Sequence, residues 1–224
     1  MEPTIYKPSI YKDAGIYKTG AGGVEINPYA PNYKEPLILA DKEYKVIQIG
    51  SLLWMAENLD YRWEGLSSDM TLSSAAANYY NDDAATYGKN GLIYNGYARD
   101  ELIALLSNGL LDGWRFPKTS EFETMCQNFI TTYFNPRYGS NSISFTERNI
   151  VSNLKSKEEW DGNNSFGFNL LRCGLWDNGW TGITSYTCLW TNSKWHYDWG
   201  NNTYLMKYQN ENYLGVCIRL VKDL

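Results

Sequence analysis

Tyr44-Lys45-Val46-Ile47-Gln48-Ile49-Gly50 runs, after Ser51, into Leu52-Leu53-Trp54-Met55-Ala56-Glu57-Asn58-Leu59. The first segment alternates and is β-branched, and it stops on a glycine. That pattern predicts a strand, a tight turn and a second short strand over Leu52–Met55. Trp54 stands in an apolar strand context, where a large aromatic fills a core, and Trp114 and Trp190 have similar surroundings. Glu57 and Asn58, beside Trp54, read as polar anchors that tie loops to that core. Outward from this stretch the period changes. Ala98 to Asn108 places Leu102, Leu105 and Leu106 on one helical face, with Gly109 as the stop. A second helix follows Pro117. Ser120 and Glu123 have capping-box spacing, and Phe122, Cys126, Phe129 and Tyr133 form its apolar stripe. A third helix is predicted from Glu147 to Lys155, capped by Thr146. After Trp160 the helical period disappears. Short strands are predicted at Phe166–Arg172, Thr187–Ser193, Thr203–Gln209 and Tyr213–Lys222, joined by Asn, Gly and Asp turns. Strands, then helices, then strands is the order of an α+β fold.

Residues 1–40 differ in character. They carry five of the seven prolines and three copies of Ile-Tyr-Lys, at 5–7, 10–12 and 16–18. Pro8 and the glycines from Gly20 to Gly23 oppose a long helix. The stretch reads as an extended arm whose tyrosines pack on a partner, for attachment or for a homo-oligomer such as a trimer. The globular domain is then 41–224.

The chain has 224 residues, a net charge of −5, and nine tryptophans and nineteen tyrosines against seven phenylalanines. A net acidic chain is a poor match for a broad phosphate-binding surface, so nucleic acid is not an expected partner. No apolar run is long enough for a membrane span. Residues 1–10 lack a basic region followed by an apolar one, so no secretory signal is visible. Cys126, Cys173, Cys188 and Cys217 form no CxxC, and buried thiols are expected rather than a zinc site or disulfides. His196 is the single histidine and has no nucleophile beside it in sequence. Arg115 and Arg219 lie in apolar strand ends, where pairing with carboxylates or carbonyls is expected.

Several of these segments form an ordered set. The strand 44–50 leads into Trp54–Leu59. Tyr87-Gly88, Gly91-Leu92-Ile93-Tyr94, Gly113-Trp114-Arg115-Phe116-Pro117-Lys118-Thr119, Glu121-Phe122, Ser165-Phe166-Gly167-Phe168, Leu189-Trp190-Thr191 and Gly215–Asp223 follow in turn. The set resembles the Fibrobacter succinogenes major paralogous domain over about residues 41–223. The resemblance implies a C-type-lectin-like fold with antiparallel strands and two to three helices, related to formylglycine-generating enzymes. It departs from sugar-binding C-type lectins in having no proline after Pro136, so their calcium site is not expected. It also lacks the close cysteine pair of the enzymes.

The functional reading rests on residues 176–213. Trp176, Trp180, Trp190, Trp195 and Trp199 stand there with Tyr186, Tyr197, Tyr204, Tyr208 and Tyr213, and with no phenylalanine. Asn178, Asn192, Asn201, Asn202, Asn210 and Asn212 are interleaved with them, alongside Lys194, His196 and Asp198. A core strand would use Val, Ile and Phe. Tyr and Trp provide rigid contact area at low entropic cost, and Asn provides adaptable hydrogen bonds, as in paratopes. The candidate contact set comprises these residues except Trp190 and Asn192. The resemblance points to the same segment, because C-type-lectin-like domains bind through their C-terminal loops and strands. It also links the chain to the variable proteins of diversity-generating retroelements, in which adenine-directed mutagenesis acts near the C-terminus. The expected function is a non-enzymatic ligand-display protein, such as a phage tail adhesin, that binds a cell-surface protein or glycan receptor. Its expected location is the virion or the bacterial cell surface. No cofactor and no metal is implied. A bacterial surface carbohydrate-binding module and a formylglycine-generating-type oxidase are the alternatives.

Overall fold

In the computed structural model Tyr33–Leu39 and Lys42–Ile49 form an antiparallel hairpin, turning through Ala40 and Asp41 at φ of 48° and 63°. The structure describes residues 16–18, 24–26, 31–128, 134–138, 142–145, 153–160, 162–193, 195–200, 204–209 and 212–224. The hairpin opens a five-stranded sheet in the order 33–39, 42–49, 52–55, 221–223, 114–115. Its register sets Trp54 between Ile47 and Val221. Both ends of the described globular part thus meet in one sheet. Val46 and Ile47 are adjacent and both fully buried, as in a strand covered on two faces. The sheet begins at Tyr33, within the stretch read from sequence as an arm. The third Ile-Tyr-Lys copy, Ile16–Lys18, pairs with Val24–Ile26 as a separate hairpin, and the first two copies lie outside the described residues.

A second sheet orders 180–181, 175–176, 215–216, 93–95, 77–78, and a third orders 186–190, 195–200, 204–209, 142–145, 134–138. Strand pairing within the sheets is antiparallel. With the helices Gly96–Ser107 and Thr119–Asn128 and the single turn Ala84–Tyr87, the class is α+β as expected.

Several elements differ from the sequence reading. The 96–107 helix starts two residues early, because the Asn95 side chain accepts from the Ala98 N–H at 2.9 Å and caps it. Gly109 follows at φ 90°, as its stop requires. In the next helix Glu121 also reaches back, its carboxylate accepting from the Lys118 N–H at 2.7 Å. Phe122 is buried as predicted, with Met125 beside it. Phe129, Tyr133 and most of the helix predicted from 147 lie outside the described residues. Phe166–Arg172 is irregular instead of a strand. Asn164, Gly167 and Asn169 adopt φ of 48°, 76° and 52°, which extended chain forbids. The predicted strand 213–222 is two short strands, Gly215–Val216 and Val221–Asp223, and between them Cys217 makes an isolated parallel bridge to Leu189.

Trp54 and Trp190 are fully buried, one in each of two apolar clusters. Trp54 meets Phe122 and Phe168 with ring centroids 5.1 and 5.9 Å apart. Side chains of this size each stabilise by about 2–3 kcal/mol on full burial. Trp114, read as core, is only half-buried at the edge of the first sheet. Among the described residues no helix is long and apolar enough to cross a membrane.

Candidate ligand-binding surface

The strand Tyr186–Trp190 carries buried residues on both faces from Thr187 to Trp190. The Trp190 indole donates to the Tyr94 carbonyl at 2.8 Å, and the Arg99 guanidinium lies 4.6 Å from the indole ring. Thr187 Oγ1 donates to the Leu171 carbonyl. The turn after Trp190 is pinned from both sides. Arg99 donates to the Ser193 carbonyl at 3.1 Å, and the Asn192 N–H donates to the Pro117 carbonyl at 2.9 Å. Arg99 is itself buried and ion-paired to Asp100 at 2.6 Å.

From this anchored edge the chain runs out and back as Trp195–Gly200 and Tyr204–Gln209. Cα partners pair without a break: Trp190 with His196, Leu189 with Tyr197, Cys188 with Asp198, Thr187 with Trp199. On the far side His196 pairs with Tyr208, Tyr197 with Lys207 and Trp199 with Leu205. Ser144 pairs with Tyr204. The meander thereby gathers Trp195, His196, Tyr197, Asp198, Trp199, Tyr204 and Tyr208. Lys194, Asn201, Asn202 and Asn210 lie outside the described residues. Tyr186 opens the anchored strand and is 40 % exposed.

Trp176, Asn178 and Trp180 belong to the second sheet. Trp176 and Trp180 face each other across a tight hairpin, edge to face, with centroids 4.9 Å apart. Asn178 makes the turn at φ 51°. Tyr80 packs on Trp180 at 5.5 Å and Tyr87 on Tyr80 at 5.1 Å. Trp176, Trp180 and Tyr80 are half-buried against the first core cluster, so part of each indole serves packing. Tyr213 is 45 % exposed. Asn212 is half-buried: its carbonyl accepts from the Gly96 N–H at 2.8 Å, and its side-chain oxygen is buried without a partner among the described residues. A Cβ on Gly96 would stand 2.7 Å from the Asn212 Cα, so the end of the window is clamped to the helix start.

Sequence reasoning missed Tyr80, Tyr87 and Arg99. The signal for Arg99 was its position three and seven residues before Leu102 and Leu106, on the inward helix face.

Cys173, Cys188 and Cys217 are buried thiols and not disulfides, as expected. Burial, then the neighbouring Cys173 thiol, pushes the Cys217 thiol well above the ordinary thiol range. A thiol so held is poor in the thiolate that nucleophilic chemistry needs. Arg219 is fully buried and finds a side-chain amide and two carbonyls, as its sequence context implied. It donates to Asn58 Oδ1 at 2.7 Å, to the Asn169 carbonyl at 2.9 Å and to the Phe168 carbonyl. Burial draws its pKa down to about 10. Arg115 instead forks onto Glu121 and Asp223 at 2.8 and 2.9 Å. Those carboxylates hold its guanidinium firmly protonated. Asn58 is the buried anchor expected beside Trp54, whereas Glu57 is half-buried and accepts from the Lys45 N–H at 2.8 Å. Among the described residues no group of three or more His, Cys, Asp or Glu side chains is arranged to hold a metal ion.

Residues 47–222 match the family model of the Fibrobacter succinogenes major domain. The chain belongs to this family. No curated protein and no solved structure gives a significant match. In this Fibrobacter succinogenes major domain the matched span starts at Ile47 and ends at Lys222, residues of the first sheet, so the sheet brings the two limits of the family together. The match takes in all of 176–213 and leaves out the hairpin at 16–18 and 24–26.

Proposed function

We propose that the chain is a non-enzymatic ligand-display protein that binds a cell-surface protein or glycan receptor through residues 176–213. On this reading it is a variable protein of a diversity-generating retroelement, such as a phage tail adhesin. It works at the virion or the bacterial surface, with residues 1–40 serving attachment or trimerisation. Its fold is read as C-type-lectin-like, a reading supported by the meeting of the two ends of the described globular part in one sheet.

One observation carries the proposal. Strand 186–190 and the closing segment 214–221 are almost wholly buried, as a scaffold requires. The two strands between them draw eight of their twelve residues from Trp, Tyr, His, Asp and Lys, yet they pair in continuous antiparallel register. A rigid frame carrying paratope-type residues is how a protein varies its contacts without losing its fold. The raised Cys217 thiol gives no support to an oxidase.

Sequencing the 3′ end of the gene from many isolates tests the diversification. Adenine-directed changes should fall within codons 176–213 and spare 215–223. Identical ends in all isolates would favour the second reading, a carbohydrate-binding surface module. The half-buried platform of Tyr80, Trp176 and Trp180 is the feature that favours that alternative.

A further inference from the structure

The edge strand Trp114–Arg115, the end of the 96–107 helix and the start of the 119–128 helix line a half-open cavity of about 310 Å³. This is the lower end of the range of small-ligand pockets, about 300–1,000 Å³. Leu106 and Phe116 form a buried apolar floor, and Leu111 and Trp114 are half-buried walls. The half-burial of Trp114, at odds with a core role, is explained by its place on this cavity.

The polar groups are few and differ in availability. Arg115 spends its donors on Glu121 at 2.8 and 2.9 Å, on Asp223 at 2.9 and 3.2 Å and on the Phe116 carbonyl. Lys118 is exposed, and its ammonium is in no ion pair among the described residues. The exposed Asn192 is held at the rim by its N–H bond to the Pro117 carbonyl. An apolar floor, an indole wall, one available cation and one amide suit a small apolar body with an anionic head.

We infer that this cavity is a binding site for a small apolar carboxylate, of the size of a single-ring aryl acid, with the ring against Leu106, Leu111 and Trp114. The carboxylate meets the Lys118 ammonium and the Asn192 amide. The site borders the receptor window at Asn192 but does not depend on the receptor reading.

The test is titration of the full chain with 4-phenylbutyrate, 4-phenylbutan-1-ol and 4-phenylbutylamine, following the Trp114 indole N–H by NMR and assigning it with W114F. Phenylbutyrate should shift that signal saturably and bind about threefold or more tighter than the alcohol, the size of an exposed charge contact. K118Q alters one exposed side chain and leaves the fold intact by its spectrum. It should abolish the preference for the acid while the alcohol still binds. L111W should fill the cavity and remove binding of all three. No saturable shift at millimolar ligand, equal or tighter binding of the amine, or an unchanged preference in K118Q would each overturn the proposal.

Discussion

Arg219 Nε lies 2.7 Å from Asn58 Oδ1, joining the closing segment of the chain to the motif that follows Trp54, 161 residues earlier. Both residues are buried, and the other guanidinium nitrogens hold the Phe168 and Asn169 carbonyls. Removing the guanidinium leaves two buried acceptors and one part-buried acceptor unmet, each buried one costing about 1–3 kcal/mol. R219M should lower unfolding free energy by about 3 kcal/mol or more in urea denaturation. R219K should not restore it, since one ammonium cannot reproduce a planar fork. Wild-type stability in R219M would refute the role.

Asn95 is fully buried and serves three partners. Its side chain accepts from Ala76 and Ala98 N–H at 3.1 and 2.9 Å and donates to the Ser74 carbonyl at 2.7 Å. N95A removes a helix cap and strands buried backbone groups, for a loss of about 2 kcal/mol or more. N95D keeps the acceptor but not the donor, and should fall between the two in thermal unfolding.

Lys155 is a buried lysine with its Nζ 4.0 Å from the centre of the Trp160 ring. Burial, helped by the Arg172 charge, lowers its pKa from 10.5 to about 8. Between about pH 8 and 10.5 the unfolded chain therefore keeps a proton that the folded chain has lost. Stability rises with pH where the unfolded state binds more protons, so this lysine's contribution improves across that window. Below it, both states keep the proton and this dependence on pH vanishes. The stability of wild type relative to K155M should improve as pH rises from about 8 to 10.5. A gap that does not change with pH would contradict the assignment.

The first sheet was legible from β-branched alternation at 44–49 and from the glycine after it. Its edge strand was hidden by Pro36. The structure accommodates that proline with a register shift between Lys34 and Leu37 on an edge, where a missing N–H does least harm. Phe166–Arg172 misled because its apolar residues read as a strand. The Phe168 and Asn169 carbonyls are satisfied by Arg219 from far along the chain, and no local pattern encodes that. The candidate surface was legible as composition but not as geometry. One window in sequence supplies a meander in the third sheet and a tryptophan hairpin in the second, where Tyr80 joins from outside the window.

The central claim is that the meander makes the receptor contact and the anchored strand beside it does not. The most direct measurement compares wild type with the triple variant Tyr197→Ala, Trp199→Ala, Tyr204→Ala for binding to a panel of intact bacterial cells and a glycan array. Thermal unfolding is followed on the same samples. The account predicts a wild-type signal on at least one cell type or glycan, lost in the triple variant while cooperative unfolding is kept. A wild-type signal that survives unchanged in a folded triple variant would contradict it.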